Sequence, residues 1–261
     1  MEYDVNLSIL FTELELLRRP EAARAAGFGA VEFWWPFAEP VPADAEVERF
    51  ARAIEEAGVR LVGLNFYAGD MPAGERGVLS HPGRAREFTD NLDVVAGIGE
   101  RLGCRAFNAL YGTRLAGVAP EEQDEVAAES LARASDAAGG IGGTVLLEPV
   151  SGTPGYPLRT AADAFAVIDR LGADNVRLLL DVYHLVVNGD DPRAVLDERA
   201  GSVGHVQVAD APGRGEPGTG EIDFDGFFAA LAAAGYDGHV GLEYRPGAAS
   251  AESFGWMREQ G

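Results

Sequence analysis

A chain of 261 residues with 47% apolar side chains can bury a sizeable core, and 21 basic residues against 42 acidic ones give it a net charge of −21. All 21 of the basic residues are arginine, so chemistry that needs a lysine amine, such as Schiff-base formation or a lysine-ended phosphate loop, is excluded. The acidic balance also argues against nucleic acid and anionic membrane as partners. Cys104 is the only cysteine, the start Met1-Glu2-Tyr3-Asp4 is unlike a secretory signal, and no run approaches the roughly 18 apolar residues of a membrane span, so a cytoplasmic protein is expected.

The first strand is predicted over 5–11, with Asn6 and Ser8 on one face. Thr12 and Glu15 look like a capping pair for a helical run to Gly27. Residues 31–34 give the second strand, and a Pro-rich connector leads to a helix over 44–57 stopped by Gly58. The third strand covers 59–65. A Gly- and Pro-rich loop follows over 68–77, long for a plain connection and therefore a candidate functional loop. Helices over 83–102 and 120–138 flank a fourth strand at 105–110, and the fifth, 145–148, ends abruptly at Glu148-Pro149. Downstream, strands at 176–181, 203–208 and 240–244 alternate with helices at 160–171, 192–199 and 223–235, and a last helix covers 250–259. Eight strand-like runs alternating with eight helical ones predict an α/β fold, a single (β/α)8 TIM barrel domain spanning 1–261.

The last four strands each end on one oxygen-bearing side chain: Glu148, Asp181, Gln207 and Glu243. They recur at intervals close to an eighth of the chain, the length of one strand–helix unit in a barrel of about 250 residues, so they converge on the C-terminal mouth where barrel active sites form. Beside the amide, three carboxylates meeting there repel one another unless a cation lies between them, and all-oxygen donors suit Mg2+ or Mn2+ better than zinc. His205 precedes Gln207 by two residues and shares its inward face, as a core histidine would; His184 lies past a strand end, within reach of a substrate oxygen. His81 and His239 read as surface or strand-edge residues. Arg214 follows the Gln207 strand and can grip a substrate carboxylate with two parallel hydrogen bonds, or pair with Glu216. Trp34, Trp35, Phe66 and Tyr67 are candidate pocket walls or core.

Asn6-Leu7-Ser8, Ala68-Gly69-Asp70, Ala73-Gly74-Glu75-Arg76-Gly77, Glu148-Pro149, Asp181-Val182-Tyr183-His184, Gly204-His205-Val206-Gln207, Arg214-Gly215-Glu216-Pro217-Gly218-Thr219-Gly220-Glu221-Ile222 and Glu243-Tyr244-Arg245-Pro246 together resemble the hydroxypyruvate isomerase family of xylose-isomerase-like TIM barrels. By that resemblance Glu148, Asp181, Gln207 and Glu243 match metal ligands, Glu148 and Glu243 double as the acid/base pair, and His184, Arg214, Asn65 and Glu75 bind substrate. The chain departs from the family at Leu64, where a histidine is frequent, and at Arg245, where a lysine is.

The resemblance implies interconversion of hydroxypyruvate and 2-hydroxy-3-oxopropanoate through an enediolate, aided by Mg2+ or Mn2+. The alternatives are an isomerase or epimerase of a related keto acid such as a 2-oxo-tetronate, or of a ketose, on the same scaffold; a non-catalytic sugar-acid binding protein; and a DNA-repair endonuclease, which wants more histidine ligands and a basic groove. The expected partner is a small hydroxy or keto acid or sugar, neither nucleic acid nor membrane, and self-association into a homo-oligomer is compatible with the sequence.

Overall fold

Runs such as Leu178-Leu179-Leu180 are buried on both faces, as strands enclosed by helices must be. The structure, a computed structural model, describes residues 1–260. Eight parallel strands, β1 (Glu2–Asn6), β2 (Ala30–Phe33), β3 (Arg60–Asn65), β4 (Ala106–Asn108), β5 (Thr144–Leu147), β6 (Val176–Asp181), β7 (Val203–Val208) and β8 (His239–Leu242), close into a barrel in chain order, with β8 paired to β1. Around it run α1 (Arg19–Ala25), α2 (Asp44–Ala57), α3 (Ala85–Leu102), α4 (Pro120–Gly140), α5 (Ala161–Leu171), α6 (Val182–Val187), α7 (Pro192–Arg199) and α8 (Phe224–Ala233).

Local signals place most of these elements. Thr160 and Asp163 form a reciprocal capping box at the start of α5, and Gly172 ends the helix in the left-handed conformation at φ 68°. α4 and α7 carry proline in their first turn, where a missing N–H costs nothing. α2 turns Phe50, Ala51 and Ile54 to the barrel.

The structure corrects the expected elements at both ends of the chain. β1 stops at Asn6 instead of running to residue 11, because the Asn6 carbonyl accepts from the N–H groups of Ile9 and Leu10 and its Oδ1 accepts from Ser8 N at 2.9 Å, which turns the chain. Thr12 caps nothing: a 3-10 turn at Leu16–Arg18 comes first and α1 begins only at Arg19. After β8 the described residues form two 3-10 pieces, Ser250–Glu252 and Gly255–Gln260, where an α-helix was expected. α6 was not expected at all. It starts directly from β6, capped by Asp181 Oδ1, which accepts from His184 N at 3.2 Å. His81, expected at the surface, is 7% exposed, with Nε2 3.1 Å from the Thr113 carbonyl oxygen. No helix among the described residues is long and apolar enough to cross a membrane.

The loop after β3 is clamped to the one after β4. Gly77 sits at φ 105°, and a Cβ there would lie 2.0 Å from the Leu110 carbonyl oxygen. Gly77→Ala is therefore expected to destabilise the protein by at least about 2 kcal/mol in denaturant melts, since it combines a disfavoured backbone conformation with a backbone clash. A loss below a few tenths of a kcal/mol would show that this loop is not held as described.

Candidate active site

Glu148 directly follows β5, Asp181 ends β6, Gln207 lies in β7 and Glu243 directly follows β8. Asp181 is level with Gln207, and Gln207 with Gly241, so the four side chains gather at the C-terminal mouth. They are 6%, 1%, 3% and 3% exposed, so three carboxyls and one amide are almost wholly removed from water. Glu148 and Glu243 border a cavity of about 360 Å³ that Trp34, Asn65, Arg76 and Arg214 also line.

Donors fix each acid. Asn108 Nδ2, from the end of β4, donates to Glu148 Oε2 at 2.7 Å. Glu243 Oε1 accepts from Trp34 Nε1 at 3.1 Å and from Arg214 Nη2 at 2.7 Å. The same Arg214 nitrogen lies 3.6 Å from Asp181 Oδ2, and its guanidinium lies over the Tyr183 ring. Arg214 thus engages the site's own carboxylates and not Glu216, whose Oε1 accepts from Gly247 N.

Burial, and then the neighbouring Asp181, push the Glu148 carboxyl up to about 8. Burial also raises Glu243 well above the usual carboxylate range; Arg214 opposes that rise, while Glu148 and Asp181 add to it. In the metal-free chain Glu148 can hold a proton at neutral pH, Glu243 is shifted in the same direction, and groups so perturbed in a cleft are functional candidates.

His184 is 5% exposed, and burial lowers its pKa to about 4, so it is neutral. Its Nδ1 accepts from Ser151 N at 3.0 Å and lies 2.7 Å from Ser151 Oγ, which puts the ring proton on Nε2. Nε2 lies 3.7 Å from both Glu148 Oε1 and Asp181 Oδ2. His184 therefore faces the site as a hydrogen-bond donor.

Two groups of acid and histidine side chains can hold a cation. One atom each of Glu148, Asp181 and His184 lie within 4.8 Å of one another, and so do those of Asp4, Glu32 and His205, set deeper in the barrel. At the mouth, Asp181 Oδ2 and Gln207 Oε1 are buried and accept no hydrogen bond among the described residues. Two orphaned oxygens beside two carboxyls held far above their ordinary pKa fit a divalent cation. The Nε2–H tautomer leaves His184 without a free lone pair toward the mouth, so Gln207 completes the donor set better than His184 does.

Asn65 and His184 stand in the cavity wall, as expected. Glu75 does not: Arg84 Nη1 donates to both its oxygens, at 2.7 and 2.8 Å, and Asp70 N donates to it at 2.6 Å, so its side chain is committed to the rim loop. Of the four aromatic candidates only Trp34 lines the cavity; Trp35, Phe66 and Tyr67 belong to the buried core. Sequence reasoning missed Asn108, Ser151 and Arg76. Asn108 ends a strand as the other site residues do and was legible on that ground. Ser151 was not, because its role depends on a partner across a loop. Arg76 makes no ion pair among the described residues; its Nη1 donates to the Met71 and Glu75 carbonyls at 3.0 and 2.6 Å, which fixes the guanidinium at the cavity wall.

The model of the xylose isomerase-like TIM barrel family matches residues 20–260. The chain is 52% identical to a Streptomyces coelicolor protein named as a candidate hydroxypyruvate isomerase, over 98% of this chain and 95% of that one. It is 33% identical to Escherichia coli hydroxypyruvate isomerase, over 98% of both, and 34% identical to a 2-oxo-tetronate isomerase of Cupriavidus necator, over 98% of this chain and 97% of that one. A crystal structure described as an AP endonuclease of family 2 from Brucella melitensis superposes with a TM-score of 0.90 at 33% identity, over 99% of both chains. With its closed eight-strand barrel, this chain belongs to the xylose isomerase-like TIM barrel family.

Proposed function

We propose that this chain is a cytoplasmic, single-domain, divalent-metal-dependent isomerase of short keto acids, and that its substrate pair is hydroxypyruvate and 2-hydroxy-3-oxopropanoate. One observation carries this: two buried carboxyls, Glu148 and Glu243, border one cavity, and burial pushes both above the ordinary carboxylate range.

Isomerisation takes a proton from C3 of hydroxypyruvate, passes through an enediolate and returns a proton to C2, while the O3 hydroxyl proton moves to the C2 oxygen. Glu148 or Glu243, as carboxylate, accepts the C3 proton; the same group or its counterpart delivers one to C2. Asn108 holds Glu148 from one side, and Trp34 holds Glu243 from the other, so neither rotates away during the transfer. His184 Nε2–H hydrogen-bonds a substrate oxygen at the C2–C3 centre, and the cavity arginines Arg214 and Arg76 bind the substrate carboxylate. Glu148, Asp181, Gln207 and Glu243 would hold Mg2+ or Mn2+, which would supply positive charge to offset the negative charge developing on the substrate oxygens.

The likeness to the structure described as an AP endonuclease does not carry the proposal to a DNA substrate. A chain of net charge −21 repels a phosphodiester backbone. The test is turnover by the purified protein, stripped with chelator and reloaded with Mg2+ or Mn2+, on hydroxypyruvate, a 2-oxo-tetronate and a panel of ketoses. The highest kcat/KM is expected on hydroxypyruvate, with no turnover while stripped. Preference for the four-carbon acid would replace the substrate and keep the chemistry; silence on every keto acid would reject the proposal.

A further inference from the structure

The Gln207 amide has an oxygen end that can hold a cation and a nitrogen end that repels one, and the two ends have nearly the same shape. Which end faces the mouth therefore decides whether Gln207 is a ligand. Gln207 Nε2 donates to Glu32 Oε1 at 2.7 Å, while Gln207 Oε1 is buried with no hydrogen-bond partner among the described residues.

A carboxylate only accepts, so Glu32 selects the nitrogen end of the amide and turns the oxygen toward the site. Glu32 is itself held by two more donors. His205 Nε2 lies 2.8 Å from its Oε2, and Asn6 Nδ2 donates to Oε1 at 3.1 Å. Asn6 is oriented in turn by Ser8 N, which donates to its Oδ1.

The barrel makes room for this side chain. A Cβ at Gly63 on β3 would lie 3.0 Å from Glu32 Oε2, and one at Gly241 on β8 would lie 2.7 Å from Glu32 Oε1 and 3.1 Å from Gln207 Cγ. Glu32 is 3% exposed and belongs to β2, yet it reaches across the interior to β7 through the gap those two glycines leave.

We infer that Glu32 is a positioning residue: held by His205 and Asn6, it fixes the Gln207 amide so that its carbonyl oxygen is presented as a metal ligand. The inference rests on the proposed metal site. It also assigns the inward His205 a place in the support of the site.

Mn2+ affinity, measured by titration calorimetry on the chelator-stripped full chain, tests this without reference to turnover. Glu32→Gln is expected to raise the dissociation constant by about 10–100-fold, the usual effect of losing a residue that orients a ligand. The exchange Glu32→Gln with Gln207→Glu restores an amide–acid hydrogen bond, and a carboxylate at 207 presents oxygen whichever way it turns. That double variant is expected to regain wild-type affinity within a few fold, a rescue that a merely structural role of Glu32 does not produce. Thermal melts in chelator report folding. If Glu32→Gln does not fold, Glu32→Asp is read in its place, since it keeps the charge but is one methylene short of Gln207.

Wild-type affinity in a folded single variant would overturn the inference, as would a folded exchange variant that stays weak. A wild-type chain that binds no Mn2+ would overturn the metal site and the inference with it, so the two failures are distinguishable.

Discussion

Glu148→Gln is expected to lower kcat by about 10²–10⁴-fold, the range associated with losing a positioned proton carrier, while raising the melting temperature of the metal-free protein near pH 8. The amide keeps the size of the side chain and can still accept from Asn108, but it neither takes nor returns a proton. The gain in stability follows from the linkage sign. Burial and the Asp181 charge push the folded-state pKa of Glu148 up to about 8 from an ordinary value of 4.5. Between those values the folded chain binds more protons than the unfolded one, so stability falls as pH rises through the window and is lowest above it.

The amide of the Glu148→Gln variant carries no such penalty, so the variant's melting temperature should show a flatter pH profile and lie above wild type at pH 8. Mn2+ titration of the same variant separates loss of proton transfer from loss of metal, because the amide still offers an oxygen. A variant that retains its metal and works within tenfold of wild type would remove Glu148 from proton transfer and leave Glu243 as the sole carrier.

The parts of this molecule that were legible in its sequence are those whose cause is local. α2 was bounded correctly because Gly58 ends it in the left-handed conformation, and α7 because Asp191 and Pro192 mark its start. The strand-end acids were legible through their spacing alone, which reflects the barrel's eightfold repeat. α6 was hidden because Asp181 both ends β6 and caps the helix, leaving no loop to punctuate the change, and Val182, Leu185, Val186 and Val187 look extended in isolation. β1 was misread because the turn after Asn6 depends on its side chain hydrogen-bonding two residues on.

The remaining misses share a cause that no window on the sequence contains. Glu32 acts on Gln207 from a strand that is not its neighbour, Ser151 sets the tautomer of His184, and Glu75 turns away from the cavity toward Arg84. An acid in the middle of an apolar strand, such as Glu32 between Val31 and Phe33, is a usable signal that something polar waits inside. It does not say what.

Adding Mn2+ to the stripped protein should raise its melting temperature by about 5–10 °C at a hundredfold excess over the dissociation constant, the thermal equivalent of about 2.7 kcal/mol for a chain of this size. At one fixed Mn2+ concentration the shift should also grow as pH rises toward 8. A cation needs Glu148 and Glu243 as carboxylates, whereas burial and mutual repulsion keep the metal-free pair protonated well above the ordinary range. Binding therefore expels protons, and apparent affinity climbs with pH until both acids are ionised without help. In the metal-free chain Arg214 lies against Glu243 and Asp181. It is too far from Asp181 Oδ2 for a hydrogen bond, so it is an incomplete substitute for a dication, and a metal that satisfies both acids frees this arginine for the substrate carboxylate. Differential scanning calorimetry at pH 6, 7 and 8, with Mn2+ and with chelator, measures the effect directly. A shift independent of pH would mean that the ion binds away from the raised carboxyls, and no shift at all would remove the cation from this site.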